Sequence, residues 1–201
     1  MKKSPLLLIL WLLMSLAIQA QVELRPTVGM NISSLESLKD TASFRSDAGF
    51  SVGLDLQFGN RWYVQPGVHY DVSRNTIELN GGEESALKVG RVRLPVLVGY
   101  KLFEPDVDRF FNVRLFTGPN ISFVTSVDDG ESQLDIDKED FKSSTFGWHA
   151  GGGLDILIVF IDFGYQFGLS DIFDDLQIQG LEGANSKNNV FYLNAGLRVR
   201  F

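Results

Sequence analysis

The chain has 201 residues, a formal net charge of −7, no cysteine and two histidines, His69 and His149. That length suits one domain with its own core, and the missing cysteines exclude a disulfide scaffold and any thiolate metal or nucleophile chemistry. The acidic balance opposes nucleic-acid binding, which needs a basic footprint, and no cofactor is expected.

The N-terminus reads as an export signal. Lys2 and Lys3 form a positive n-region, Leu6 to Ile18 a short apolar h-region, and Ile18-Gln19-Ala20 a small-residue site before cleavage at Gln21. Residues 1–20 are therefore expected to be a cleaved signal peptide, and residues 21–201 the exported domain. A membrane anchor would need a longer apolar run. No later stretch is apolar enough for a helical span, but a barrel strand needs only alternation over about ten residues.

Alternation occurs eight times. Val22 to Met30 sets Val22, Leu24, Pro26, Val28 and Met30 against Glu23, Arg25, Thr27 and Gly29. Ala48 to Phe58 places Phe50, Val52, Leu54 and Leu56 opposite Ser51, Gly53, Asp55 and Gln57. Trp62 to Val72 opposes Trp62, Val64, Val68 and Tyr70 to Gln65, Gly67, His69 and Asp71. In Arg91 to Leu102, Val92, Leu94, Val96 and Val98 face away from Arg93, Pro95 and Lys101, with Leu97 breaking the pattern. Phe111 to Phe123 and Phe146 to Ile156 continue it, with Asn112, Arg114 and Gly118 on one polar face and His149, Gly151, Gly153 and Asp155 on the other. Ile161 to Leu169 opposes its aromatics to Asp162, Gly164 and Gln166. Phe191 to Phe201 does the same to Asn194, Gly196, Arg198 and Arg200.

The apolar phase is even through Ile156 and odd from Ile161, so a tight turn is expected near Leu157–Val159. One strand from Phe146 to Leu169 would run to about 80 Å, far beyond a membrane. Short turns at Gly59-Asn60-Arg61, Glu104–Arg109 and Leu157–Val159 alternate with long polar connectors at Ser33–Ser46, Ser73–Gly90, Thr125–Thr145 and Ser170–Asn189. Three short turns facing four long loops match an eight-stranded, antiparallel, up-and-down transmembrane β-barrel, with both termini on the periplasmic side.

A soluble sandwich or lipocalin would alternate too, with its apolar face inward. Three features oppose that. The polar faces are rich in glycine, while bulky aromatics sit on the apolar faces. Those aromatics cluster in two girdles, with Phe58, Trp62, Tyr100, Phe111 and Phe201 at the short turns and Phe50, Tyr70, Phe123, Phe146, Trp148, Phe167 and Phe191 at the loops. The chain ends at Phe201 on an apolar face, like the aromatic signal read by the barrel assembly machinery. Pro26, Pro66, Pro95 and Pro119 each remove a ladder donor, so bulges or frayed pairing are expected there.

Arg93-Leu94-Pro95-Val96-Leu97-Val98-Gly99-Tyr100, Gly118-Pro119-Asn120-Ile121, Tyr165-Gln166-Phe167-Gly168-Leu169-Ser170-Asp171-Ile172 and the ending Gly196-Leu197-Arg198-Val199-Arg200-Phe201 resemble the PorT-like, porin-family outer-membrane β-barrel proteins of Bacteroidetes. The resemblance implies an integral outer-membrane barrel and carries no catalytic residues to this chain. A part in protein secretion is what analogy with PorT implies.

The polar faces assign Glu23, Arg25, Asp55, Arg93, Lys101, Arg114, Asp155, Asp162, Arg198 and Arg200 to the lumen. Unpaired charges there would be costly, so cross-strand pairing is expected, with Arg25 beside Arg198 or Asp55. A stiffening ion-pair plug and a narrow conducting path are the two readings of this set. An enzyme reading would join His149 or His69 to Ser51, Ser122 and Asp71, but no nucleophile elbow is present. The acidic third connector carries Asp128, Asp129, Glu131, Asp135, Asp137, Glu139 and Asp140. It lacks the spacing of a calcium loop and reads as a solvated loop, with bridging to lipopolysaccharide through divalent ions as the alternative. Asp171, Asp174 and Asp175 in the fourth read the same way. The expected role is non-enzymatic: envelope integrity, adhesion or partnership in an envelope or secretion complex through the loops. A small channel or ligand-binding barrel is the alternative.

Overall fold

A computed structural model describes residues 21–35, 43–78, 84–103, 110–128, 144–170 and 188–201. The strands are β1 (Val22–Leu35), β2 (Ser43–Gly59), β3 (Trp62–Glu78), β4 (Glu84–Lys101), β5 (Phe111–Asp128), β6 (Ser144–Ile156), β7 (Val159–Gly168), β8 (Asn188–Leu197) and β9 (Val199–Arg200). Each strand from β1 to β7 pairs antiparallel with the next. β1 also pairs with β8 and β9, which closes the sheet. β9 continues β8 in unchanged register beyond Arg198, so the barrel has eight staves.

The registers set its shape. A path along paired residues runs from Val22 to Phe58, Val64, Val98, Thr117, Ala150, Tyr165 and Phe191, and returns to β1 at Ile32. Closure is thus staggered by ten residues along β1. With about 3.3 Å per residue and about 4.8 Å between strands, that stagger tilts the staves about 40° from the barrel axis, with a backbone radius of about 8 Å. Such an interior is one that side chains can fill.

Two hairpins are tight. Gly59 takes φ +114 before Asn60 and Arg61, a left-handed conformation that glycine adopts without a Cβ clash. Leu157 adopts φ 53 in the Leu157–Ile158 turn joining β6 to β7, where the apolar phase switches. The expected turn at Glu104–Arg109 lies outside the described residues.

The four strand prolines open the ladders without shifting them. Pro26 faces a two-pair gap against β8 and β9, Pro66 against β2, Pro95 against β3 and Pro119 against β4. In each case the register resumes unchanged on the far side, while the proline keeps its own partner on the other flank: Pro26 with Leu54, Pro66 with Val96, Pro95 with Asn120 and Pro119 with Trp148. A residue in an antiparallel strand aims its N–H and C=O at one neighbour, so a proline costs bonds on that side only. Bulges were the alternative expectation, and the register shifts actually lie elsewhere, between Asp47 and Phe50 and between Gly90 and Arg91.

The long connectors are shorter than the sequence pattern indicates. β3 and β4 stay paired through Ser73–Gly90 as far as Glu78 and Glu84, β1 runs on to Leu35, β2 begins at Ser43, and β5 reaches Asp128 opposite Lys88. Polar residues on both faces there erase the alternation that marks a half-apolar strand, although backbone pairing persists. Strands of 17 and 18 residues at β2–β5 exceed the ~9–11 that a tilted membrane strand needs. Among the described residues the wall is therefore tallest over β2–β5.

Polarity is inverted relative to a water-soluble fold. Val28 is 62 % exposed, and Phe50, Val52, Leu54, Val64, Val96, Leu115, Phe163 and Leu193 are all exposed on the outer face. Arg25, Arg114 and Asp155 are 0 % exposed inside. The inner face also holds Tyr63 and Tyr192, as their polar-face parity predicts, and Phe116 and Phe160, which corrects the expectation that the phenylalanines belong outside. Each occupies space left by a glycine. A Cβ at Gly99 would strike the Tyr63 ring, and one at Gly164 the Tyr192 ring. Gly151 makes the same room for Phe116, and Gly196 for Phe160.

Candidate functional site

Interior side chains form two polar layers. Near the short-turn rim, Glu23 on β1 is the hub. Its carboxylate accepts from Arg25 Nη1 at 3.3 Å, Lys101 Nζ at 3.2 Å, Arg198 Nη2 at 3.0 Å and Arg200 Nε at 2.9 Å. Asp155 on β6 is the second anion, accepting from Arg114 Nε at 2.9 Å and Arg25 Nη2 at 3.2 Å, with Arg198 Nη2 at 3.4 Å. Arg114 donates to Asp162 on β7 and to the Tyr63 hydroxyl at 3.2 Å. Arg25 stacks its guanidinium over Phe160 at 3.9 Å and donates to Gln57 at 3.3 Å.

Strand geometry explains why these groups meet. Alternation points every second residue of every stave inward, and the stagger brings non-adjacent staves to one height. Arg25 and Asp55 are Cα partners on β1 and β2, yet the Arg25 guanidinium reaches Asp155 across the lumen. Asp55 instead binds His69 Nε2 at 2.9 Å and takes Thr27 Oγ1 at 3.4 Å. The expected neighbour pair Arg25–Asp55 is thus replaced by a trans-lumen pair, because long side chains in a narrow barrel reach opposite walls.

In the second layer, toward the long-connector rim, Arg93 is gripped in bidentate fashion by Asp71, with Nε to Oδ2 at 2.7 Å and Nη2 to Oδ1 at 3.0 Å. Its Nη1 lies 3.2 Å from His149 Nε2, and the His149 ring meets Tyr192 edge-on at 5.3 Å between centroids. Above this layer the lumen opens into a cup whose walls include Asn31, Ser51, Asp71, Arg91, Arg93 and Ser122. It is a small cavity of about 30 Å³, partly open to solvent.

The hydrolase constellation does not assemble. His69 is bonded to Asp55 and His149 to Arg93, while Ser122 Oγ donates to Asn120 and Ser51 Oγ to Asn194, each at 3.4 Å. In the acidic connector, Asp128 is placed by backbone pairing with Lys88. Asp129, Glu131, Asp135, Asp137, Glu139 and Asp140 lie outside the described residues, as do Asp171, Asp174, Asp175 and residues 1–20. The backbone amide of Phe201 donates to Val22 at 3.0 Å, and its ring is exposed. The lumen set assigned from the polar faces omits Asp71, Arg91 and Asn31, which line the cup. Their inward parity was visible, but only the closed register places them around one opening.

A closed eight-stave barrel with aliphatic and aromatic residues outside and charges sealed inside is stable only where hydrocarbon replaces water around it. The class is therefore an integral outer-membrane β-barrel. The chain belongs to the outer membrane protein beta-barrel domain family, whose model matches residues 19–174.

Solved structures share the fold. The outer membrane protein OprG from Pseudomonas aeruginosa superposes with a TM-score of 0.58 at 13% identity, covering 90% of this chain and 96% of that one. Neisserial surface protein A (NspA) gives a TM-score of 0.54 at 17% identity, covering 90% and 97%. No curated protein matches the chain in sequence.

Proposed function

We propose that this protein is a non-conducting, non-enzymatic outer-membrane barrel that acts through its long-connector rim, as a structural element of the envelope or as the membrane partner of a surface or secretion assembly. In this reading the short turns and both described chain ends face the periplasm, and the long connectors face outward. Lipid and lipopolysaccharide surround the barrel, and the barrel assembly machinery inserts it. The resemblance of its strand motifs to PorT-like proteins supports the secretion-assembly variant.

One observation carries the reading. Arg25, Arg114 and Asp155, contributed by β1, β5 and β6, are fully buried and bonded across the lumen. With Glu23, Lys101, Asp162 and Arg198 they act as a structural plug. Moving an ion past them would require breaking several desolvated charge pairs at once.

Planar-bilayer recording tests this. The refolded barrel is expected to give no stable openings, and regular unitary openings from the unaltered protein would overturn the reading. Replacing Arg25, Arg114 and Asp155 together with alanine is expected to produce measurable ion flux. That outcome would show that the plug, rather than barrel width alone, blocks the path.

A further inference from the structure

Two described turns on the short-turn rim are built from opposite chemistry. β2 passes to β3 through Gly59, Asn60 and Arg61, where glycine carries the left-handed conformation and Arg61 is exposed. β6 passes to β7 through Leu157 and Ile158. Leu157 takes φ 53, a region that leucine rarely enters and that asparagine, aspartate or glycine ordinarily fills in a two-residue hairpin. Both side chains point away from the protein, Leu157 at 56 % and Ile158 at 65 % exposure. In water such a turn would combine backbone strain with two exposed aliphatic side chains, each of them unfavourable.

The backbone of this turn is an independent sign, because protein groups satisfy it. The Leu157 N–H donates to the Phe110 carbonyl at 2.8 Å, and the Ile158 carbonyl accepts from the Arg198 N–H at 2.7 Å. The Leu157 carbonyl accepts from Arg198 Nη1 at 3.3 Å, while the other nitrogens of that guanidinium hold Glu23. Turn groups in an aqueous compartment can bond to water, whereas groups in lipid must be satisfied internally. The lipid-facing wall also runs into the turn without a polar break. Val159 pairs with Ile156 and with Leu197, and all three are exposed outside. Ten residues separate Trp148 from Ile158. At about 3.3 Å per residue and a tilt of about 40°, that is a height of about 25 Å, equal to the apolar band of an outer-membrane barrel.

We propose that the Leu157–Ile158 turn is immersed in the leaflet on the short-turn side, at the boundary of acyl chains and headgroups, with phospholipid acyl chains as its partner. Over β6 and β7 the barrel then ends within the membrane, whereas the Gly59–Arg61 turn reaches the aqueous compartment. Arg198 takes the place of water at the Leu157 carbonyl, which joins the plug to the lipid contact. The inference needs only the lipid-facing wall, so it stands whether or not the lumen conducts.

The chain has no cysteine, so a single nitroxide label can be placed through Ile158→Cys or, at the other turn, Arg61→Cys. The whole barrel in phosphatidylcholine nanodiscs keeps both rims open to solvent, and faster gel migration without boiling verifies that each variant is folded. Spin-label relaxation then compares collisions with oxygen, which concentrates among acyl chains, and with a water-soluble nickel chelate. Oxygen is expected to dominate at position 158 and the chelate at position 61. Chelate access at 158 equal to that at 61 would place the turn in water and overturn the proposal. Low access to both reagents, or dipolar broadening between labels of two chains, would show protein covering the turn and overturn it as well. A label-free measurement uses insertion into preformed phosphatidylcholine liposomes. Ile158→Asp is expected to lower the inserted fraction while still folding in detergent micelles, and Ile158→Val to insert like the unaltered chain. Undiminished insertion of Ile158→Asp would count against immersion.

Discussion

Arg114 shows how a buried charge is tolerated in this lumen. It reaches Asp155, Asp162 and the Tyr63 hydroxyl together, so its desolvation is offset by partners on three other staves. Removing it leaves Asp162 without that counter-charge, whereas Asp155 keeps Arg25. Arg114→Met is therefore expected to lower stability by about 3–5 kcal/mol, and adding Asp162→Leu to recover part of that loss. Urea unfolding of the barrel in liposomes measures both. Gly99 is equally specific, because a side chain there meets the Tyr63 ring. Gly99→Val is expected to cost about 1–3 kcal/mol, and Tyr63→Ala in the same chain to relieve the clash. Full additivity of the two in the same assay would contradict this packing.

At the scale of the strand, the prolines are the informative feature. Each silences one side of one residue and leaves the register intact. Pro119→Ala is expected to restore a donor toward β4 and stabilise the barrel by about 1 kcal/mol. Backbone amides on β4 facing that gap, near Val96 and Leu97, should exchange faster than those facing β3 and slow in the variant. Uniform protection across β4 would show that the gap is already closed. The β3–β4 hairpin makes a different point, since pairing continues to Glu78 and Glu84 through residues with no apolar face. Strand continuation beyond the membrane follows from backbone bonds already nucleated below, which side-chain alternation does not report.

For the whole molecule, the decisive property is which face meets lipid. Trp62 near the short-turn rim and Trp148 toward the other are both exposed on the outer wall, at heights suited to the two membrane interfaces. In single-tryptophan variants made with Trp11→Phe and either Trp62→Phe or Trp148→Phe, the remaining indole should be quenched more by headgroup-level than by midplane-level lipid probes. Strongest quenching at the midplane would displace the girdles from the interfaces. An unboiled sample should also migrate faster than a boiled one, as a closed barrel resists detergent.

Much of this was legible from the order of residues. Period-two alternation marked the eight staves, their inward and outward faces and the phase switch at Leu157–Ile158, because a strand's side-chain directions follow from its backbone alone. Parity likewise placed Glu23, Arg25, Arg114, Asp155, Asp162 and Arg198 on inward faces. What alternation could not carry was who meets whom. Arg25 chose Asp155 over its strand neighbour Asp55, Phe116 and Phe160 turned inward against glycines, and Asn31 came to share an opening with Arg91. Those outcomes depend on a ten-residue stagger that exists only once the sheet closes, and on a lumen narrow enough for side chains to cross it.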